Sequence, residues 1–201
     1  MAQRKQGRGQ LRVVAGSVGG RRFEAPPGDA IRPTTERVRE AVFSSLGTEA
    51  IGASVLDLFA GTGAMAIEAL SRGAARAVLV ERDRTAADAC RRNLKSLGFT
   101  GVGRVIERRV ESVLEAGPPP EAPFDVVCCD PPYDTPDATV ASVLAALATP
   151  GWLEPGASVV VERGVGRGSA GVVDEIPSGW QLRFARSYGD TLVTLLSTSD
   201  E

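Results

Sequence analysis

Short apolar runs alternate with amphipathic stretches along most of the chain. Runs rich in β-branched and apolar residues predict buried strands at 55–59, 77–81, 102–107, 124–130 and 157–162. Between the second and third of these runs, apolar residues recur at helical spacing up to Gly98, and a further helix is predicted over 137–148. This alternation is typical of βαβ units, so we predict a mostly parallel sheet covered by helices.

Both ends of the chain depart from this alternation. Near the C-terminus, runs at 181–188 and 191–197 flank Gly189-Asp190, which predicts an antiparallel hairpin. Near the N-terminus, runs at 11–15 and 21–25 flank a glycine-rich turn and predict a smaller hairpin, followed by a helix capped by Thr34 or Thr35. The predicted fold is α/β and Rossmann-like. Residues 31–201 form a seven-stranded, mostly parallel sheet with an antiparallel C-terminal hairpin, and residues 1–30 form a basic β-hairpin extension.

Composition and charge narrow the classes of function. The 201 residues are 43% hydrophobic and contain no histidine, which excludes Ser-His-Asp and Cys-His catalysis; no metal site is predicted. No apolar stretch reaches the length of a membrane span, and a cytoplasmic protein is expected. The first 22 residues carry six of the basic side chains and no acid, whereas the whole chain has a net charge of −2. This asymmetry predicts a polyanionic partner for the N-terminal arm, with a solvated tail as the alternative.

A glycine turn joins the first strand of the predicted sheet to the helix that follows. Gly61 and Gly63 allow the backbone to approach a ligand closely, and the helix presents its N-terminus to that ligand. Glu81 ends the next predicted strand, where a carboxylate can accept both hydroxyls of a ribose. The pattern therefore predicts a nucleoside cofactor.

The residues before the turn favour one such cofactor. Asp57 would repel a pyrophosphate, whereas S-adenosylmethionine carries an ammonium and a sulfonium group and no phosphate. Phe59 and Ala60 also suit a ligand without phosphate, since a phosphate-binding loop has glycine there. We predict S-adenosylmethionine; a nicotinamide or flavin dinucleotide, and a turn that only needs glycine, are the alternatives.

The sequence DPPY at 130–133 follows the fourth predicted strand, which lies next to the first in doubly wound sheets. The Asp130 carboxylate and the Pro131 carbonyl are two acceptors for an exocyclic NH2 group, and Pro132 stiffens the turn. Tyr133 offers a flat face for a flipped-out base. The turn therefore predicts methyl transfer to an amine of a base, without a covalent intermediate.

Two adjacent cysteines precede this turn. Cys128 and Cys129 could act as nucleophiles, as in carbon-5 pyrimidine methylation. Their place within the predicted strand favours buried, reduced thiols that pack in the core.

Over nearly its whole length the chain resembles the bacterial RsmD family, the 16S ribosomal RNA guanine-N2 methyltransferases. The resemblance rests on LRVVAG at 11–16, RPTTERVRE at 32–40, LDLFAGTGA at 56–64, Glu81, and DPPY at 130–133. It implies a class I S-adenosylmethionine-dependent methyltransferase fold and the N2 amine of the guanine numbered 966 as target. It also implies that the substrate is the 30S subunit or its assembly intermediate; we expect a monomer with no membrane partner.

The resemblance assigns roles to individual residues. The catalytic turn is Asp130, Pro131, Pro132 and Tyr133, and the cofactor residues are Thr35, Arg39, Asp57, Phe59, Ala60, Gly61, Gly63, Glu81, Arg82, Arg109, Val110 and Asp130. RNA is expected to be contacted by Arg12, Arg21 and Arg22 of the basic arm and by Arg32, which follows it. Where the family often has Asn-Ala or Asp-Ala to meet the adenine, this chain has Arg109-Val110, so the Val110 backbone is the expected contact.

Two other functions use the same features. DNA adenine-N6 and cytosine-N4 methyltransferases have the same kind of DPPY turn, but they usually need a sequence-reading domain, and none fits in 201 residues. A non-catalytic RNA-binding module would not need an intact DPPY turn together with Glu81.

Overall fold

The computed structural model describes residues 9–25, 35–164 and 176–199. A small N-terminal sheet consists of β1 (Gln10–Arg12) and β2 (Arg22–Glu24). The large sheet consists of β3 (Ser54–Leu58), β4 (Arg76–Glu81), β5 (Gly103–Glu107), β6 (Phe124–Cys129), β7 (Leu153–Gly164), β8 (Gln181–Tyr188) and β9 (Thr191–Ser197). The helices are α1 (Glu36–Leu46), α2 (Ala64–Ser71), α3 (Arg84–Leu97), α4 (Val110–Ala116) and α5 (Asp137–Leu147). Within these ranges, none of the helices has the length and apolar character needed to cross a bilayer.

The large sheet has the strand order β5-β4-β3-β6-β7-β9-β8. The first five of these strands are parallel, and β9 pairs antiparallel with both β7 and β8. The central strands β3 and β6 read as apolar runs because helices cover both faces of the sheet. The predicted seven-stranded, mostly parallel sheet with an antiparallel C-terminal hairpin is confirmed.

Several boundaries differ from those predicted. Strand β7 runs from Leu153 to Gly164, beyond both predicted ends, because Leu153 pairs with Phe124 of β6 and β9 pairs as far as Gly164. The hairpin strands are shorter than predicted, since the amides of Val14 and Ala15 leave the ladder and donate to the Glu68 carboxylate at 2.8 and 3.0 Å. Helix α4 was not predicted, because its seven residues are too few to show a clear period.

The N-terminal hairpin shares its core with the large sheet. Val13 and Phe23 are 1% and 4% exposed and belong to the same apolar cluster as residues of α1, α2 and α3. On α3, Asn93 accepts from the Glu24 amide and donates to the Glu24 carbonyl, both at 2.9 Å. Val13 and Phe23 therefore anchor the predicted basic arm to the core, since two short strands can bury apolar side chains only against a neighbour.

Candidate active site

Three carboxylates lie at the carboxyl ends of neighbouring parallel strands. Leu58 of β3 pairs in register with Val80 of β4 and with Cys129 of β6. Glu81 and Asp130 follow these partners directly, and Asp57 precedes Leu58. The sheet therefore brings the predicted cofactor acids and the DPPY turn to one edge, as expected for ligand binding in a doubly wound fold.

Glu81 organises the glycine turn. Its carboxylate accepts hydrogen bonds from the Gly61 amide at 2.8 Å and from the Asp83 amide at 2.7 Å. From beneath, the Cys90 thiol donates to the Gly61 carbonyl at 3.2 Å. Glu81 thus fixes the loop as well as offering its remaining lone pairs to a ligand, a structural role that the sequence did not reveal.

The backbone of the turn adopts special conformations at two predicted positions. Phe59 has φ 60°, the left-handed region that non-glycine residues rarely occupy, and such strain is often found at ligand-binding sites. Ala60 continues the sheet by donating to the Val80 carbonyl at 3.0 Å. Gly63 has φ 76°, and a Cβ there would lie 2.8 Å from Leu79 Cδ2. Only glycine therefore fits at the start of α2.

Asp57 is buried at the N-terminus of α2. It is 1% exposed and accepts a hydrogen bond from the Ala66 amide at 3.0 Å. Burial raises the pKa of this carboxyl well above its usual range, and the negative charges of Asp130 and Glu81 raise it further, while the Ala66 amide opposes them. A ligand that carries positive charge would relieve this repulsion.

A fourth carboxyl joins this group from β7. Glu162 is 3% exposed, and burial raises the pKa of its carboxyl well above the usual range. Asp130 and Asp57 raise this pKa further, and Arg39 opposes them. A cation bound at this edge would stabilise the ionised forms of these carboxyls, so the site suits the ammonium and sulfonium groups of S-adenosylmethionine better than a pyrophosphate.

The DPPY turn lies across the ends of β7 and β9. The Asp130 amide donates to the Leu58 carbonyl at 3.4 Å, and Pro131 is buried while Pro132 is exposed. Tyr133 is 45% exposed, and its hydroxyl lies 2.9 Å from Thr191 Oγ1. One side of the Tyr133 ring therefore rests on the protein, and much of the residue remains accessible to a base.

Strand β7 holds the rest of the loop. Arg163 donates to the Thr135 carbonyl at 2.6 Å and to Asp137 Oδ1 at 2.8 Å, at the start of α5. Beside it, a Cβ on Gly164 would lie 2.8 to 3.0 Å from three ring atoms of Tyr133. Arg163 and Gly164 were not among the predicted site residues. Their position just after the predicted strand 157–162 was the only signal in the sequence.

Two predicted cofactor residues lie at the N-terminal end of α1. Thr35 caps α1, and its hydroxyl accepts from the Val38 amide at 3.3 Å. Arg39 is fully buried and donates to the Arg12 carbonyl at 2.6 Å, with Glu68 Oε2 at 3.9 Å from its Nε. Burial lowers the pKa of Arg39, and nearby carboxylates oppose this. These contacts of Arg39 connect the hairpin to α2 and give it a structural role that was not predicted.

Three further predicted residues lie after β4 and β5. Arg82 is exposed directly after Glu81. Arg109 is the residue before α4 and forms an ion pair with Glu111 at 3.4 Å. Val110 is 2% exposed, with its side chain in the core. Only the backbone of Val110 is therefore suited to a cofactor contact, as expected from the sequence.

The predicted RNA-binding arginines of the hairpin are exposed but engaged. Arg12 pairs with Glu36 at 2.7 Å, and this contact raises the pKa of Arg12. Arg21 donates to the Ser96 carbonyl, and Arg22 donates to Gln10 Oε1 at 3.2 Å. Arg32 lies outside the described residues.

The thiols are unsuited to nucleophilic catalysis. Cys128 and Cys129 are each 1% exposed, and burial together with neighbouring carboxylates raises the pKa of both. The interpretation of these cysteines as packed, reduced thiols is supported.

Sequence comparisons identify relatives along nearly the whole chain. A family model described as Conserved hypothetical protein 95 matches residues 11–197. Ribosomal RNA small subunit methyltransferase D of Escherichia coli (strain K12) is 35% identical over 190 residues, covering 94% of this chain and 90% of the relative. YlbH of Bacillus subtilis (strain 168), described as a candidate rRNA methyltransferase, is 41% identical over 123 residues, covering 61% and 67% of the two chains.

Solved structures similar to this chain are also described as methyltransferases. The Escherichia coli protein yhhF, described as a candidate methyltransferase, has a TM-score of 0.80 and 32% identity and covers 96% of this chain and 100% of its own. An RNA methyltransferase from Salinibacter ruber in complex with S-adenosyl-L-homocysteine has a TM-score of 0.61 and 18% identity, covering 85% and 95% of the two chains, so that likeness concerns the fold. The chain belongs to the RsmD family of S-adenosylmethionine-dependent ribosomal RNA methyltransferases.

Proposed function

We propose that this chain transfers a methyl group from S-adenosylmethionine to the exocyclic N2 amine of a guanine in 16S ribosomal RNA. The proposed substrate is the 30S subunit or its assembly intermediate, and the proposed target is the guanine numbered 966. One observation carries the proposal: the cofactor acids Asp57 and Glu81 and the DPPY turn lie at adjacent strand ends on one edge of the sheet.

The donor would be held by the residues of this edge. Bound S-adenosylmethionine would supply a methyl group activated by its sulfonium sulfur. Glu81 would accept the ribose hydroxyls with the lone pairs that the Gly61 and Asp83 amides leave unused. Asp57 is suited to neutralise the positive end of the donor, because burial and its acidic neighbours make its ionisation costly unless a cation lies nearby.

The target amine would be aligned by the DPPY turn. The Asp130 carboxylate and the Pro131 carbonyl would accept the two N2 hydrogens and thereby direct the nitrogen lone pair toward the methyl group. The same acceptors would stabilise the positive charge that develops on the nitrogen during transfer. Tyr133 would stack on the flipped-out guanine through the exposed side of its ring.

The N-terminal hairpin would contribute phosphate contacts. Arg12, Arg21 and Arg22 are exposed, and their hydrogen-bonding partners are surface groups that phosphate oxygens could replace. Each contacted phosphate should add roughly 0.7 to 0.9 to the slope of log affinity against log salt. Arg22→Gln should reduce that slope, and an unchanged slope would remove Arg22 from the RNA contact.

We also infer that the enzyme is a monomer in the bacterial cytoplasm, where its proposed substrate is assembled. Four large hydrophobic residues of the described chain are exposed, Ile51, Val102, Tyr133 and Leu182, and they come from four separate segments. This supports a monomer, because stable self-association generally needs a contiguous apolar patch. Light scattering would test it.

Transfer of tritium from labelled donor tests the proposal against its alternatives. We expect label in 30S particles or their assembly intermediates, with N2-methylguanosine as the sole labelled nucleoside after digestion. Label in duplex DNA as N6-methyladenine or N4-methylcytosine would establish the DNA methyltransferase alternative. Binding to RNA without transfer to any of these substrates would establish the non-catalytic alternative.

A further inference from the structure

Glu162 is a buried carboxyl that the proposed methyl transfer does not use. It lies near the carboxyl end of β7, and within the described part of the chain its Oε1 atom is fully buried without a hydrogen-bond partner. Buried polar atoms are normally satisfied, and an exception at the edge of a ligand site calls for a ligand as partner.

The strand register places Glu162 beside Asp130. Val161 of β7 pairs with Cys129 of β6, and Glu162 and Asp130 are the residues that follow this pair. Neighbouring strands are about 4.8 Å apart, so the backbones of the two acids are close. The effect of Asp130 on the pKa of Glu162 shows that the two carboxyl groups also interact.

Both side chains belong to the face of the sheet that carries the cofactor acids. Side chains alternate along a strand, and Val160, two residues before Glu162, packs in the apolar cluster on the side of α1, α2 and α3. Cys128, two residues before Asp130, packs in the same cluster. Asp57 of β3 also raises the pKa of Glu162, so the acids at three strand ends act on one another.

Two adjacent acceptors match a specific feature of guanine. On its Watson–Crick edge, the N2 amine stands next to an N1–H donor. In adenine and cytosine, the ring nitrogen next to the amine carries a lone pair instead. A base whose amine is held by Asp130 would therefore present a second donor to a neighbouring carboxylate only if it were guanine.

We propose that Glu162 accepts the N1–H hydrogen of the target guanine, so that Asp130 and Glu162 together select this base over bases with a ring lone pair at that position. This inference rests on the proposed function, in which Asp130 binds the N2 amine. Glu162 is then a specificity-determining residue.

Discrimination requires the ionised form of Glu162, because a protonated carboxyl can donate to a ring lone pair as well as accept from N1–H. Arg39 from α1 favours that form, whereas Asp57 from β3, Asp130 from β6 and burial itself disfavour it. The positive charge of the donor cofactor would shift the balance toward ionisation. The Glu162 carboxyl would therefore be ionised, and able to distinguish guanine, when the methyl donor is bound.

The test compares guanine with 2-aminopurine, which keeps the amine but has a lone pair at N1. The methylated position is first mapped with the wild-type enzyme, and 30S particles are then reconstituted with either base at that position. We expect the wild-type enzyme to prefer guanine by roughly 10- to 100-fold in kcat/KM, as for one well-placed pair of base contacts. In E162Q the amide can donate to the N1 lone pair, so the preference should fall about tenfold or more. Because the preference is a ratio for two bases with the same donor, any change in donor affinity cancels from it.

Glu154→Gln is the matched control, since Glu154 lies exposed on the same strand. Equal rates on the two bases by the wild-type enzyme would overturn the proposal without any variant, even if E162Q failed to fold. A folded E162Q enzyme that keeps the full guanine preference would also overturn it. Failure of the proposed function itself looks different, because the wild-type enzyme would then form no N2-methylguanosine in any particle.

Discussion

The ring of Tyr133 rests directly against Gly164, where a single added carbon would lie 2.8 to 3.0 Å from three ring atoms. Gly164 pairs across the strands with Thr191, whose hydroxyl lies 2.9 Å from the Tyr133 hydroxyl. The ring is thus seated on one cross-strand pair at the end of β7 and β9. This geometry fixes the tilt of the aromatic face offered to a base.

Gly164→Ala should therefore displace the ring and impair catalysis on RNA. We expect kcat/KM for 30S particles to fall about tenfold or more, because stacking is worth about 1 to 3 kcal/mol per base. Donor affinity should be unchanged. In a Tyr133→Leu background the same substitution should add little, since no ring remains to be displaced.

Gly101→Ala is the control for that substitution. Gly101 has no atom within 4 Å of the position of an added Cβ and no positive φ. It should leave kcat/KM unaltered. An equal loss in the Gly101 and Gly164 variants would show that the effect comes from glycine replacement in general and not from Tyr133.

Asp130→Asn should abolish most methyl transfer while preserving donor binding. The amide keeps the shape but replaces one acceptor by a donor, so it can no longer accept a target hydrogen at that atom or stabilise the developing charge. Single-turnover kinetics and calorimetry separate the two effects. Asp134→Asn, in the same loop but exposed, is the control, and parallel losses of rate and donor affinity in Asp130→Asn would contradict the assignment.

Glu81→Gln should weaken donor binding. Glu81 accepts the Gly61 and Asp83 amides and is assigned to the ribose, and hydrogen bonds to a charged group contribute roughly 1.5 to 3 kcal/mol. The dissociation constant should rise about 10- to 100-fold. Glu107 pairs in register with Glu81 on the next strand and is exposed, so Glu107→Gln should leave the dissociation constant unaltered.

Glu162 should make the free enzyme less stable as pH rises. Its folded-state pKa is raised, so its contribution to the free energy of unfolding is greatest below the ordinary pKa of a glutamate and is lost as pH rises toward the folded-state value. Glu162→Gln removes this contribution. The variant should therefore gain stability relative to wild type with rising pH, measured by denaturant unfolding, and a constant difference would contradict the raised pKa.

Phe23→Ala should destabilise the whole fold. Phe23 is 4% exposed within the main apolar cluster, and truncation of a buried phenylalanine costs about 3 to 5 kcal/mol. The expected result is one cooperative transition at a lower denaturant concentration. Leu182→Ala, at a residue that is 42% exposed on β8, should have a much smaller effect. Wild-type stability of the Phe23 variant would mean that the hairpin is dispensable for the core.

The cofactor edge could be predicted because its signals are local. Asp57, Gly61, Glu81 and Asp130 all lie within a few residues of a predicted strand end, and the order of strands in a doubly wound sheet brings those ends together. The apolar pattern of the strands and the residues of the turns that follow them are therefore sufficient to locate this part of the site.

The contribution of β7 could not be predicted in the same way. Arg163 holds residues 26 and 28 positions away, and Tyr133 meets Thr191 across 58 positions. Such contacts depend on how far β9 extends the pairing of β7, which no local pattern specifies. Likewise, the charges of the arm predicted an exposed surface, but they gave no sign that Val13 and Phe23 pack against α-helices of the main body.

Helix α2 determines the spacing between the two ends of the proposed RNA site. Its first turn donates to Asp57, and its last residue, Ser71, accepts from the Ser17 amide and donates to the Ala15 carbonyl of the hairpin. Eight helical residues span about 12 Å. The helix thus fixes the distance between the hairpin and the sheet edge that carries Asp57. Under the proposed function, a target base and a phosphate bound at these two places would have to be separated by a matching distance.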